Sequence, residues 1–126
     1  MKKIINTPNA PSPIGPYSQA ILTGNTLYTS GQIAINPKSG ELVLDTIQKE
    51  TTQVMENLKA VLTAADVTFE NVIKTTIFIS DMHNFGAINE VYANYFNADT
   101  APARETVEVA NLPKFVNVEI SVIAVK

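Results

Sequence analysis

The last strand of the chain is apolar on both of its faces, and this restricts the folds that the chain can adopt. In the predicted strand Val118–Val125, side chains alternate between the two faces of a sheet. One face carries Val118, Ile120, Val122 and Ala124, and the other carries Glu119, Ser121, Ile123 and Val125. Both faces must be covered, because apolar side chains gain free energy when they leave water. Two helices cover only one face, so we expect the second face to pack against other copies in a closed homo-oligomer.

Two amphipathic helices are predicted in the middle of the chain. The first follows Asp45, which forms a capping box with Gln48. Its inward positions recur at helical spacing, at Ile47, Thr51, Val54, Met55, Leu58, Val61, Leu62 and Ala65. Asn84 is predicted to cap the second helix. The inner side of that helix is formed by Phe85, Ile88, Tyr92, Tyr95 and Phe96.

Strands are predicted before, between and after these helices. Gln19–Leu22 and Thr26–Ser30 flank Thr23-Gly24-Asn25 in a pattern typical of a hairpin. A short strand is expected near Leu42–Leu44, and Val72–Ile79 is β-branched and aromatic. The resulting order, β-β-(β)-α-β-α-β-β, predicts an α+β fold.

The N-terminal segment is predicted to be an extended loop. Four prolines within nine residues exclude a helix there, at Pro8, Pro11, Pro13 and Pro16. The loop ends by placing Tyr17 at a fixed position, directly after Gly15 and Pro16.

Arg104 and Glu119 are the most informative pair of charges. An antiparallel turn centred near Leu112–Pro113 would place Arg104 opposite Ser121 and Thr106 opposite Glu119. On this pairing, all four side chains share one face of a mostly apolar hairpin. Charges are costly to remove from water unless they are paired or used. The pair is therefore either a structural ion pair or a ligand site, and the spacing alone favours neither.

The residue types that are missing limit the chemistry. The 126 residues include no cysteine and one histidine, His83. This excludes disulfides, thiolate nucleophiles, zinc–thiolate sites and a serine–histidine relay within one chain. A net charge of -3 argues against a nucleic-acid surface, and no apolar run approaches the roughly 20 residues of a membrane helix. We expect a cytoplasmic protein that uses no metal and no cofactor.

Six motifs, in order along the chain, resemble those of the RidA (YjgF-type) family of imine deaminases. They are Pro13–Ala20, Ser30–Ile33, Asp81–Met82, Asn89–Tyr92, Pro102–Arg104 and Val118–Ile120. The resemblance implies a single RidA-like domain over residues 1–126. Its fold would be chorismate-mutase-like, a mixed sheet with two helices packed on one face, in a homotrimer with sites between subunits. The implied reaction is hydrolysis of 2-imino acids, which are tautomers of enamines such as 2-aminoacrylate, to 2-oxo acids and ammonia.

The resemblance also implies which residues form the site. Carried over by position, the catalytic residues are Arg104, Glu119 and Tyr17, and the substrate-binding residues are Ser30, Gly31, Asn89 and Thr106. Thr106 stands where many members of the family have cysteine. The family's contact at that position is largely through the backbone N–H, so the change affects side-chain reactivity more than deamination.

The chemistry of these residues agrees with such a site. An arginine fork can donate two parallel hydrogen bonds to a carboxylate. Glu119, held ionised by nearby positive charge, can orient a water molecule towards the C=N bond. Two other functions stay open. One is a non-catalytic module that binds 2-oxo acids or other small carboxylic acids; the other is a ribonuclease or translation inhibitor, which the acidic balance and the single histidine disfavour.

Overall fold

The strands and helices follow the predicted order, with one more strand at the N-terminus. The structure is a computed structural model that describes all residues, 1–126. Its elements are β1 (Lys2–Ile5), β2 (Ala20–Thr23), β3 (Thr26–Thr29), α1 (Ile47–Ala64), β4 (Val72–Ile79), α2 (Phe85–Ala93), β5 (Ala103–Glu108) and β6 (Val118–Val125). Short 3-10 turns at Phe69–Asn71, Met82–Asn84 and Pro113–Phe115 precede β4, α2 and β6. The strand predicted near Leu42–Leu44 is only an isolated bridge between Ile35 and Leu42.

All six strands form one mixed sheet in the order β1-β2-β3-β6-β4-β5. Strands β4 and β5 are parallel, and every other neighbouring pair is antiparallel. The parallel pair needs a crossover connection, which α2 supplies. The predicted β2–β3 hairpin is confirmed: Thr23 pairs with Thr26, and Gly24 takes a φ of 56° in the two-residue turn.

The predicted antiparallel pairing of β5 with β6 is wrong, because β4 lies between these two strands. Arg104 pairs with Thr75 of β4, and Glu119 pairs with Phe78 of β4. Residues 109–117 do not form a tight hairpin turn; they pass the end of β4 and bring β6 to its other side. Strand β4 thereby gains hydrogen-bonded partners on both edges, as suits a strand whose side chains are largely buried.

Both helices pack on one face of the sheet, as predicted. The largest apolar contribution of α1 comes from five side chains with at most 1% exposure, Val54, Met55, Leu58, Val61 and Leu62. Each stabilises the fold by roughly 1.5–3 kcal/mol relative to an exposed position. They belong to the same buried cluster as the inward face of β6, formed by Val118, Ile120, Val122 and Ala124.

Helix α1 begins one residue later than the predicted capping box requires. Thr46 is the N-cap, and its hydroxyl oxygen accepts a hydrogen bond from the Lys49 N–H at 3.1 Å. Asp45 instead lies 3.9 Å from the Lys49 ammonium group, in an exposed contact. Asn84 is the N-cap of α2, but its side chain makes no capping bond because its backbone is already helical. Asp81 caps the short turn before it.

The face of the sheet opposite the helices, here called the back face, is largely uncovered within one chain. At one end, a small buried cluster of Ile33, Leu112 and Val116 packs against Phe78. A row of side chains crosses β1, β2, β3 and β6 in register, formed by Ile4, Ile21, Tyr28 and Ile123. Ile4 and Tyr28 are 58% and 49% exposed. This is the apolar second face that the β6 sequence predicts, and its packing against further copies stays a prediction. None of the helices has the length and apolar character needed to cross a lipid bilayer.

Candidate active site

The Arg104 side chain lies on the helix side of β5, at the edge of the sheet. It shares this side with its partner Thr75, which is buried and accepts a hydrogen bond from the Tyr92 hydroxyl of α2 at 3.0 Å. The Arg104 guanidinium donates to Asn89 Oδ1 at 2.7 Å and lies 4.9 Å from the Tyr92 ring and 5.6 Å from the Phe85 ring. Arg104 takes part in none of the four ion pairs of the chain. Neutral groups therefore orient this charge and leave it available to an anion.

Beside the guanidinium lies a depression of about 460 Å³ with mostly apolar walls. It is lined by Asn89, Tyr92, Ala93, Phe96, Ala98, Ala101, Pro102 and Arg104. The crossover helix α2 and the segment leading into β5 form it, so the whole region comes from one continuous stretch of chain. A small anion with an apolar group matches this surface, because one free cation stands among apolar side chains.

Thr106 lies with Arg104 on the helix side of β5, where it pairs with Ile77 of β4. Its hydroxyl oxygen is buried and has no hydrogen-bond partner in the chain. The predicted position of Thr106 opposite Glu119 is wrong for the same reason as the hairpin, namely that β4 separates the two strands. We call Arg104, Asn89 and Thr106 the arginine half-site.

The Glu119 side chain lies on the back face. Its partner Phe78 is three residues from Thr75 in β4, and an odd offset places side chains on opposite faces. The carboxyl group packs over Gly31, where a Cβ atom would lie 2.7 Å from Glu119 Cδ and 2.8 Å from Cγ. Only glycine allows this approach without displacement.

Burial raises the pKa of Glu119 above the ordinary value of a glutamate. Glu119 also takes part in none of the four ion pairs of the chain. The expectation that nearby positive charge keeps Glu119 ionised is therefore wrong within a single chain, since Arg104 lies on the other face of the sheet.

A narrow cleft of about 60 Å³ opens beside Glu119. It is lined by Pro11, Ser12, Ile14, Tyr17, Gln19, Gly31, Gln32, Ile33, Ile35, Pro113 and Glu119. Three residues that the resemblance implies, Tyr17, Gly31 and Glu119, are thus brought together; we call them the glutamate half-site. The Gly31 N–H is used by no backbone hydrogen bond of the loops, so it can donate to a ligand.

The proline-rich loop that carries Tyr17 is held by one buried side chain, Gln19, which is 2% exposed. Its amide oxygen accepts a hydrogen bond from the Thr7 N–H at 2.7 Å. Its amide nitrogen lies within 3.3 Å of the carbonyl oxygens of Thr7, Ala10 and Pro11. This role of Gln19 is not evident from the sequence, because a glutamine after a loop gives no signal of the backbone groups that it binds.

Two of the predicted binding residues hold other groups in place. The Ser30 hydroxyl donates to the Ser18 carbonyl at 2.6 Å, which ties the end of β3 to the loop carrying Tyr17. Asn89 orients Arg104 through its side-chain oxygen. Ser30 lines neither of the two cavities, whereas Asn89 lines the one beside Arg104.

Within one chain, the two half-sites face opposite sides of the same sheet, and they cannot act together on one small ligand. Each has its own opening. The arginine half-site supplies a cation for an anion, and the glutamate half-site supplies a half-buried carboxyl group beside a free N–H. No group of three or more His, Cys, Asp or Glu side chains is placed to bind a metal ion.

Comparison with known proteins identifies the family. The family described as Endoribonuclease L-PSP matches residues 7–126. A RutC family protein of Pyrococcus horikoshii is 54% identical over 126 residues, which cover 100% of this chain and 99% of that protein. The 2-iminobutanoate/2-iminopropanoate deaminase of Mus musculus is 45% identical over 126 residues, with coverage of 100% and 93%. A crystal structure of a Yersinia pestis protein of the conserved Rid family aligns with a TM-score of 0.97 and 52% identity over 100% of both chains.

The chain therefore belongs to the RidA (YjgF-type) family, and both the family and the fold predicted from the sequence are confirmed. Some of its relatives are named imine deaminases and others only RutC family proteins.

Proposed function

We propose that this protein hydrolyses 2-imino acids, such as 2-iminopropanoate and 2-iminobutanoate, to 2-oxo acids and ammonia. We propose further that it acts as a homotrimer in which the arginine half-site of one copy meets the glutamate half-site of the next. The free charge of Arg104 carries the proposal, because a cation oriented by neutral groups is built to receive an anion.

The exposed surfaces of a single chain support an assembly of this kind. The arginine half-site lies on the edge strand β5, and the glutamate half-site lies on the uncovered back face. Edge strands and apolar sheet faces are the surfaces through which copies of a chain associate. A contact between the edge of one copy and the back face of the next brings the two half-sites together.

In the shared site, Arg104 binds the carboxylate of the imino acid, and the N–H groups of Gly31 and Thr106 are further donors to the ligand. Glu119 orients a water molecule and accepts its proton as the oxygen bonds to the imine carbon. The same proton then passes to the nitrogen. The C–N bond breaks, its electron pair leaves with ammonia, and the hydroxyl proton of the intermediate returns to Glu119 as the C=O bond of the 2-oxo acid forms. A raised pKa suits Glu119 for both steps, since a carboxyl group poised nearer neutrality accepts and returns a proton more readily. Tyr17 closes one side of the cleft.

The catalytic demand on this site is modest. A protonated imine is a good electrophile and also hydrolyses without an enzyme, so positioning and one proton transfer need to supply only about 3–6 kcal/mol. That range corresponds to roughly two to four powers of ten in rate. A site with one arginine and one glutamate can supply it through placement and that single proton transfer.

Imine turnover tests the reaction directly. An amino acid oxidase generates the imine in situ, and semicarbazide traps the fraction that escapes hydrolysis. Arg104→Ala is expected to lose activity through weaker substrate binding, whereas Glu119→Ala loses turnover and keeps carboxylate binding. If Arg104→Ala removes imine as fast as the wild type, the enzymatic proposal fails.

A mixing experiment tests whether the site is shared between copies. Arg104→Ala and Glu119→Ala chains are each inactive in a shared site, but random co-assembly gives about a quarter of interfaces with both wild-type groups. Activity should therefore reappear when the two variants are unfolded and refolded together. A mixture that stays inactive, while refolded wild type is active, would refute a site that is shared between copies.

The family description names an endoribonuclease, which makes RNA cleavage the second candidate. The net charge of -3 and the single histidine argue against it. RNA cleavage that copurifies with the protein and disappears in Arg104→Ala would favour it. Calorimetric binding of 2-oxobutanoate without any imine turnover would instead indicate a non-catalytic carboxylate-binding module.

A further inference from the structure

Glu50 is a buried carboxylate that neither half-site uses. It lies in the first turn of α1 and is 0% exposed. One of its oxygens accepts a hydrogen bond from the Asn117 N–H, and the other accepts one from the Asn117 side-chain amide, both at 2.8 Å. Glu50 takes part in none of the ion pairs of the chain. Burying a carboxylate is costly, and here two charge-assisted hydrogen bonds to a single residue offset that cost.

Asn117 connects three elements of the fold at the start of β6. Ser80, directly after β4, donates its N–H to the Asn117 carbonyl at 3.1 Å and its hydroxyl to Asn117 Oδ1 at 3.3 Å. Together with the two bonds to Glu50, these contacts fix Asn117 to α1 and to the end of β4. Glu119 follows only two residues later, and Val118 between them is fully buried. The place where β6 begins, and with it the position of Glu119, is set at Asn117.

The turn before Asn117 needs such an anchor. Lys114 and Phe115 both have a φ of 55°, in the left-handed region that residues other than glycine rarely adopt. Phe115 is 80% exposed, so packing of its ring does not hold this conformation. Pro113, in the same turn, lines the cleft at Glu119. Both the wall of the cleft and its carboxyl group therefore depend on the segment that Asn117 ends.

We propose that Glu50 is a positioning residue that, through Asn117, holds the Glu119 carboxyl group in place over Gly31. The effect of Glu50 on the rate of the reaction rests on the proposed imine hydrolysis. Asn117 presents two donors to Glu50, so residue 50 must offer two acceptors. A carboxylate does so, whereas a glutamine of the same shape turns its NH2 group towards one of the two donors and leaves that donor unsatisfied.

The kinetic test exchanges donors and acceptors between the two positions. Glu50→Gln should lower kcat for imine hydrolysis about tenfold, with KM little changed because the arginine half-site is untouched. Asn117→Asp alone sets two carboxylates against each other and should be impaired as well. The double variant Glu50→Gln/Asn117→Asp pairs the new amide with the new carboxylate, so most of kcat should return. Loss of protein stability alone would leave kcat per folded molecule unchanged.

Glu56→Gln is the matched control for these kinetics. It makes the same chemical change on the same helix, and Glu56 accepts one hydrogen bond from the Tyr95 hydroxyl, which an amide oxygen also accepts. Its kinetics are expected to match those of the wild type.

A second measurement does not depend on turnover. The carboxyl carbon of Glu119 can be followed by NMR as a function of pH in the wild type and in the variants. If Glu50 positions Glu119, the titration midpoint of Glu119 in Glu50→Gln should move towards that of an exposed glutamate. In the double variant it should return to the wild-type value. A wild type that does not hydrolyse imine removes the proposed function, and this titration then decides the role of Glu50 by itself.

The positioning role is overturned if folded Glu50→Gln leaves the Glu119 midpoint at its wild-type value, or if the double variant is no better than Glu50→Gln. Should Glu50→Gln fail to fold, the comparison is made between Asn117→Asp and the double variant. Recovery in the double variant supports the proposal, and equal impairment refutes it.

Discussion

Replacing Gly31 with alanine should damage catalysis much more than it damages the fold. A Cβ atom at this position would lie 2.7 Å from Glu119 Cδ, whereas ordinary van der Waals contact begins near 3.4 Å. The Glu119 side chain must therefore move by about 0.7 Å, the difference between these two distances. A misplacement of about 1 Å at a reacting group can reduce rates about a hundredfold. We expect kcat/KM for imine hydrolysis to fall about 10- to 100-fold.

The cost in stability should be small. Gly31 does not have a positive φ, so its backbone accepts alanine. The substitution also restricts the unfolded chain, which favours folding by roughly 0.4–1 kcal/mol. The flexible Glu119 side chain can relieve the remaining contact by rotation. The melting temperature of Gly31→Ala should therefore stay close to that of the wild type while its turnover drops.

Gly86→Ala is the matched control, because a Cβ atom there meets nothing within 4 Å. It is the second residue of α2, so alanine should leave turnover unchanged and give a stability equal to or slightly above that of the wild type. Semicarbazide trapping measures turnover, and thermal unfolding measures stability. A wild-type kcat/KM in Gly31→Ala would show that the close contact between Gly31 and Glu119 is not needed for catalysis.

Three further outcomes are expected. Imine turnover should fall on acidification, because protonation removes Glu119 as a base. Since burial raises the pKa of Glu119, this loss should begin at a higher pH than for an exposed glutamate. A pH–rate profile that does not fall at acidic pH would contradict the role of Glu119 as the base. Tyr92→Phe leaves the buried Thr75 hydroxyl without its partner and should cost about 1–3 kcal/mol in urea unfolding, yet KM should hold because the ring under Arg104 is retained. Ile123→Glu places a charge on the back face and should shift the protein to a smaller species in light scattering; an unchanged mass would show that this face is not an interface.

Most elements of the fold could be predicted from the sequence because they depend on local patterns. Helical spacing from Ile47 gives α1, and Thr23-Gly24-Asn25 gives the β2–β3 hairpin. The partner of each strand could not be predicted in the same way. Strands β5 and β6 are neighbours in sequence, which favours a hairpin, but the crossover through α2 places β5 beside β4 and leaves β6 to pair on the other edge. That choice is made by long-range packing.

The candidate site likewise combines features that the sequence predicts with features that depend on long-range packing. The resemblance named Arg104 and Glu119, but the sequence placed them on the same face of the sheet. That placement combined the alternation of side chains along a strand with a direct pairing of β5 and β6. The pairing is wrong, and the two side chains lie on opposite faces. Gln19 and Glu50 gave no signal in the sequence. Both are buried polar side chains whose importance lies in the backbone groups and amides that they satisfy, and those partners are distant in sequence.

The two half-sites differ in how far apart their parts lie along the chain. Arg104 and Asn89 are separated by 15 residues and are joined by one crossover, whereas the glutamate half-site joins the N-terminal loop, the end of β3 and the last strand. Contacts between distant segments carry the larger entropy of loop closure, and the mostly exposed N-terminal loop that carries Tyr17 should open at a lower free energy than the strands of the sheet. At low concentrations of urea, recognition of a carboxylate should therefore outlast the activation of water. The protein would then still hold its ligand after it has lost the ability to transform it.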